Sequence, residues 1–378
     1  MTMNMTDPTH LSEIPDIISK GVRSFKIYLA YDGIRLTSAQ LIPALEAIAR
    51  HKGIAIVHAE THDMIMSEQQ KVKSKGLSHP KHHCGCHPAI GEELAIHAFG
   101  TIAQHTDCDG HIVHISTDRG STIAHEYGCT WEVCLHHLLL DESRSSGEDD
   151  FIRSACHSMS PPLRPLSDAL HLKGILCNPS DPRGKDVFVV TDHCPFTHPQ
   201  RFGKATRAKR LSRAYSTIIS SSSRCRLGDE FSHTDSSHTN SDTGVVWSAD
   251  TDHPPFYTMP GGVGGIQYRF IGIYSFLHLN PARFVDVVSS NAAKRYGLFP
   301  RKGAICVGSD ADIVIIDTSK STKASVDSDF FYENADYTVY EGMEFRGKVD
   351  IVLRGGETVV KDGYLVAEKV GEFLKMEC

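Results

Sequence analysis

Gly21-Val-Arg-Ser-Phe-Lys-Ile-Tyr-Leu-Ala-Tyr31 sets Phe25, Ile27 and Leu29 in alternation with Lys26, Tyr28 and Ala30. A period of two, bounded by Gly21 on one side and Asp32-Gly33 on the other, predicts a β-strand. Lys26 stands in its middle. A lysine buried in a barrel strand is costly as an ammonium, so its pKa falls and the neutral amine becomes available to carbon dioxide. The product, a carbamate, is a carboxylate on a long stem that could bridge two metal ions. On this stretch alone the plainer reading is an edge-strand lysine facing water, and three later stretches change that reading.

Working outward, Thr37 is placed to cap a helix whose apolar stripe is Leu41, Leu45, Ile48 and Ala49. The run Ile54-Ala-Ile-Val57 then stops at His58-Ala-Glu60. The pattern recurs, with a helix over Glu92 to Ala103 and an apolar strand His111-Ile-Val-His-Ile-Ser116. Thr130-Trp-Glu-Val-Cys134 and Asp186-Val-Phe-Val-Val-Thr-Asp-His193 read as two more strands. Strands alternating with helices imply a parallel sheet. Lysine, two histidines and an aspartate near successive strand ends are what the catalytic face of a (β/α)8 barrel requires. Each histidine taken singly reads as a satisfied core residue; the ordered set is the stronger signal.

Composition sets the outer limits. The chain has 378 residues, 40% of them hydrophobic and 22% charged, in the range of a soluble globular protein with one large domain and a smaller one. A net charge of -7 and a pI near 6.4 argue against a nucleic-acid or anionic-membrane surface. No apolar run is long enough to span a bilayer. The polar start Met1-Thr-Met-Asn-Met-Thr-Asp7 lacks the apolar core of a secretory leader, and 11 cysteines in such a chain point to reduced thiols in the cytoplasm.

The segments Ser24-Phe-Lys-Ile-Tyr-Leu-Ala-Tyr31, Val57-His-Ala-Glu60, Ile112-Val-His-Ile-Ser116, Ser160-Pro-Pro-Leu-Arg164 and Thr191-Asp-His-Cys-Pro-Phe196 resemble the cyclic-amide branch of the amidohydrolase superfamily. So do Met259-Pro-Gly-Gly262, Ser290-Asn-Ala-Ala-Lys294, Tyr296-Gly-Leu-Phe-Pro-Arg-Lys-Gly303 and Val307-Gly-Ser-Asp-Ala-Asp-Ile313. The nearest resemblance is to dihydropyrimidinase and hydantoinase, enzymes of pyrimidine-type ring opening. It implies an α/β fold: a TIM-type barrel without about its first three strands, followed by part of a small β-sandwich.

The resemblance also assigns roles. Lys26 would be the N6-carboxylated bridge between two divalent metal ions, usually Zn2+. His58 and His114 would hold one ion; Asp192 would ligate the other and act as the base for attack by a metal-bridged hydroxide on the ring amide carbon. Tyr31 would donate to the developing oxyanion. Ser160 and Asn291 would read the amide edge of the substrate through backbone groups. The partner implied is a small cyclic ureide or imide, and family members are commonly homotetramers. Cys194-Pro-Phe196 and Ser160 favour dihydropyrimidinase or hydantoinase over dihydroorotase, while Trp131-Glu-Val-Cys-Leu-His-His-Leu138 leans toward dihydroorotase and allantoinase. A non-catalytic relative of the collapsin response mediator kind, or an inactive fragment, are the other readings.

Two departures qualify the resemblance. The family's first barrel strand carries His-x-His, and none precedes Lys26 here. The expectation is that Met1 is an internal methionine of a longer chain, the alternative being a naturally shortened relative. The second departure is residues 206–252, rich in Ser, Thr and Asp, which read as a disordered insertion or a retained intron. The expected division is a lead-in over 1–15, the barrel over 16–302 and the sandwich part over 303–378. Three other features are expected to be quiet. His79-Pro-Lys-His-His-Cys-Gly-Cys-His87 has zinc-ligand types in a loop where the family holds no metal, Glu60 either supports the site from behind or is structural, and Gly261-Gly-Val-Gly-Gly265 lacks the partners of a phosphate loop.

Overall fold

The computed structural model describes residues 5–146, 150–202, 253–368 and 371–376. The expected insertion at 206–252 lies outside them. Two sheets organise the chain. Five strands, β1 (Ser24–Tyr28), β2 (Ile54–His58), β3 (Asp109–Ile112), β4 (Thr130–Cys134) and β5 (Phe188–Val190), pair in sequence order. All four pairings are parallel, which makes them an arc of a TIM-type barrel. Four further strands, β6 (Ile313–Lys323), β7 (Glu344–Arg354), β8 (Glu357–Lys361) and β9 (Tyr364–Leu365), form an antiparallel sheet in the same sequential manner.

Strand periodicity sorts β1 into two faces. Phe25 and Ile27 are buried and pack outward with Leu41, Leu45 and Ile48 of the helix Ser38–Arg50. That helix is started by a capping box between Thr37 and Gln40, as Thr37 predicted. Lys26 and Tyr28 occupy the opposite, inner face. In register, Lys26 lies beside Ile56 and Tyr28 beside His58. The inner face continues through His111, Glu132 and Cys134 to Phe188 and Val190. The His111 ring stacks on Phe188 at 5.3 Å and 3°, closing the lower part of the arc and leaving the polar groups above it.

Three expectations are revised. Among the described residues of the expected lead-in, Pro8–Glu13 and Ile14–Ser19 are helical rather than loose, and Ile14 is fully buried in the core. The strand expected over 111–116 ends at Ile112, and the one expected over 186–193 is only Phe188–Val190. The reason is backbone conformation, since His114 (φ 43°) and Asp192 (φ 45°) adopt left-handed torsions that no strand tolerates. The antiparallel sheet docks on the barrel through the helix Ile266–Phe276. There Tyr268 stacks on Phe345 at 5.5 Å, and Ser275 Oγ accepts from the Arg346 N–H at 2.8 Å.

Candidate active site

The ends of the parallel strands bring four of the expected residues to one place. His58 closes β2, His114 follows β3, Asp192 follows β5 and Tyr31 follows β1. Three of them, Tyr31 (φ 78°), His114 and Asp192, stand in the left-handed region. A non-glycine residue held there costs about 1–3 kcal/mol and persists where the surroundings fix it, which happens most at functional sites.

The two histidines meet directly. His58 Nδ1 lies 3.0 Å from His114 Nε2, both rings are buried, and His114 Nδ1 has no hydrogen-bond partner. Two imidazole nitrogens on one tetrahedral zinc ion would sit about 3.3 Å apart, so this pair fits a shared ion with little movement. Burial holds His114 well below the usual imidazole range, and the charges of His58 and Lys26 add to that. Neutral imidazole is the form that ligates a metal.

Behind them, Glu60 accepts from His58 Nε2 at 2.8 Å and from His87 Nδ1 at 2.9 Å. Because the carboxylate only accepts, His58 carries its proton on Nε2 and keeps the Nδ1 lone pair for the site. His87, His58 and their hydrogen bonds hold the Glu60 carboxyl well below the usual range despite burial, which acts the other way. The layer continues through Arg164, which donates to the His87 carbonyl, to Ser116 Oγ at 2.9 Å and to Glu92 at 3.0 Å. Glu92 in turn accepts the Ser116 N–H at 2.8 Å, fixing the loop that carries His114. So the His79–His87 stretch is helical from Pro80 to Cys86 and spent on support, with His83 Nε2 on the Met159 carbonyl at 2.7 Å.

Lys26 lies below the histidines, its Nζ 5.0 Å from the Tyr28 ring. Burial pushes its ammonium down to about 8, against the pull of Asp192, Glu132 and Cys134. Burial also raises the Asp192 carboxyl, with Lys26 and His58 opposing and Glu132 adding. Among the described residues, the Asp192 carboxylate does not join His58 and His114 in a tight three-atom cluster. Tyr31 is 38% exposed, yet burial and the charge of Glu60 raise its phenol, and its hydroxyl hydrogen-bonds Ser160. Its ring packs 4.9 Å from that of His58. A phenol that stays protonated is a donor at any working pH.

Asn291 is the correction. Its amide donates to the carbonyls of Lys185 (3.2 Å) and Val187 (2.9 Å), which precede β5. It therefore sits at the N-terminal end of the sheet, opposite Asp192. The segment that borders Ser160 is Met259–Gly262: a Cβ at Gly261 would lie 3.7 Å from Ser160 Oγ, and the Gly262 N–H donates to the Ser158 carbonyl at 3.1 Å. The sequence signal was present in Met259-Pro-Gly-Gly262, but a glycine offers no side chain to draw attention. His87 was likewise hidden, because its role depends on a contact with Glu60 across 27 residues of sequence.

The model of the amidohydrolase family matches residues 266–359. The chain is 29% identical to D-phenylhydantoinase of Escherichia coli (strain K12), over 97% of this chain and 69% of that protein. It is 28% identical to the structure of a D-hydantoinase (dihydropyrimidinase) from Thermus sp., with a TM-score of 0.81 over 100% of this chain and 72% of that one. For the D-hydantoinase from Bacillus sp. AR9 the identity is 27% and the TM-score 0.77, over 97% and 70%.

Proposed function

We propose that this chain, which belongs to the amidohydrolase family alongside the hydantoinases and dihydropyrimidinases, is a metal-dependent hydrolase that opens a cyclic amide ring of the hydantoin or dihydropyrimidine class. The observation that carries the reading is the His58–His114 pair, 3.0 Å apart and buried, with Asp192 and Tyr31 beyond the C-terminal ends of neighbouring parallel strands and Lys26 on the inner face of β1.

In this reading His58 and His114 would hold one divalent ion and Asp192 a second, with Lys26 in its N6-carboxylated form as a further ligand, and zinc would fit the imidazole donors. Bound ions supply Lewis acidity, lowering the pKa of water and polarising the ring carbonyl. The lowered Lys26 pKa favours carbamate formation, since only the free amine adds to carbon dioxide. Asp192, its carboxyl raised by burial, takes the proton of the attacking water and delivers it to the leaving ring nitrogen. Tyr31 donates its O–H to the oxygen that gains charge. Ser160, tied to Tyr31, orients the amide edge together with the Gly261–Gly262 backbone.

The free thiols of the described cysteines support a cytoplasmic setting. Among the described residues no helix is long and apolar enough to cross a membrane. Exposed Val314, Ile315, Tyr364 and Leu365 on the antiparallel sheet support homo-oligomer formation, with a tetramer as the expected state.

The test is ring opening of dihydrouracil and hydantoin by the purified chain, after its metal content has been measured. Turnover that disappears on Asp192→Asn, with the fold retained, supports the proposal. A chain loaded with two ions that opens neither ring overturns it.

A further inference from the structure

Cys134, His136 and His137 have no part in the reaction above. Cys134 ends β4 on the inner face, and the two histidines lie in the short helix Leu135–Leu139 that follows. One ligand atom from each lies within 4.8 Å of the other two. All three are buried, at 0%, 2% and 4% exposure. His137 Nε2 faces the Pro161 carbonyl at 3.1 Å. A carbonyl only accepts, so this nitrogen carries the proton and the lone pair is on Nδ1. That Nδ1, and Nδ1 of His136, have no hydrogen-bond partner, although the rings lie 4.4 Å apart. Buried ring nitrogens are normally paired; here two are unpartnered, in residues that each bring a ligand atom close to the other two.

We propose that Cys134, His136 and His137 form a second metal site, separate from the His58–His114 centre and selective for a soft divalent ion of the zinc or cadmium type. One sulfur and two imidazole nitrogens suit such an ion, and with no carboxylate in the set they disfavour magnesium and calcium. Three protein ligands leave one position open. On binding, the Cys134 S–H bond breaks, the proton leaves to solvent and a sulfur–metal bond forms; no oxidant or reductant is needed. His137 is already oriented for the task, because a ligating imidazole normally gives its other N–H to a carbonyl or carboxylate. Cys134 is the register partner of Val190, two residues before Asp192, so an ion bound here lies close to the proposed active site. The inference does not depend on the activity proposed above.

The experiment strips the full chain with a chelator and titrates it with cadmium. It follows the ultraviolet thiolate-to-cadmium band and the cadmium-113 NMR resonance. The expected result is one cadmium per chain in a one-sulfur environment, at least tenfold weaker in His136→Gln and His137→Gln and absent in Cys134→Ser. The signal should persist in Cys194→Ser, which removes an exposed thiol near Asp192, and in the double variant His58→Asn/His114→Asn. Persistence in Cys134→Ser overturns the proposal. So does loss in the histidine double variant, which would make the cluster part of the first centre. Should Cys134→Ser not fold, the wild-type resonance decides: nitrogen and oxygen donors alone also overturn the site.

Discussion

Glu60→Gln isolates the support behind the proposed metal ligands. The carboxylate accepts two hydrogen bonds, from His58 Nε2 at 2.8 Å and His87 Nδ1 at 2.9 Å. Glutamine has nearly the same shape but one acceptor oxygen and one amide donor. It can accept from only one of the two imidazoles. The other must turn its lone pair toward the amide, which for His58 moves the proton to Nδ1, the atom that faces His114. Losing such an orienting partner costs about 10–100-fold in metal affinity, or about 1.4–2.7 kcal/mol. The assay is competition for zinc between the chain and a coloured chelator, with urea melts of the metal-free forms alongside. The expected outcome is a zinc dissociation constant raised by that factor, with bound zinc restored to wild-type stoichiometry at high zinc. The reasoning is refuted by a variant whose zinc affinity stays within twofold of wild type while its metal-free stability falls, because Glu60 would then be a packing residue only.

Other perturbations probe the same framework. Tyr31→Phe keeps the ring against His58 and removes the O–H, so kcat for ring opening should fall about 10²–10³-fold with little change in KM; an unchanged kcat removes Tyr31 from the mechanism. His83 is buried and its imidazole is pushed down to about 3 from 6.5, so it adds stability in full above pH 6.5 that is lost as pH falls toward 3. Linkage puts that loss at about 2 kcal/mol between pH 7 and pH 5. Urea melts of wild type and His83→Gln should therefore converge by that amount over the same interval, and a constant offset argues against the buried neutral ring. Gly110→Ala would place a Cβ 2.9 Å from the Phe99 ring and 3.0 Å from Cys129 Sγ. Overpacking of this kind costs about 1–3 kcal/mol, read as a lower urea midpoint; no shift would mean that the helix Ala89–His105 gives way freely.

What could be read from sequence was set by local chemistry. The alternation around Lys26 needs only the two-residue period of a strand, and the Thr37 cap with its apolar stripe needs only the geometry of one helix turn. The order Lys26, His58, His114, Asp192 survives in one dimension because parallel strands deliver their C-terminal ends to the same side. Three things did not survive. The strands at His114 and Asp192 were read too long, because a histidine or an aspartate takes a left-handed torsion only where its surroundings fix one. Asn291 was placed with Ser160, although the fold carries it to the far end of the sheet. And the partnership of Glu60 with His87 exists only between segments that the chain brings together. Periodicity and capping act over a few residues and so are written in the sequence. Which polar atom meets which inside the core is decided by packing among distant segments, and for this chain only the tertiary structure holds that decision.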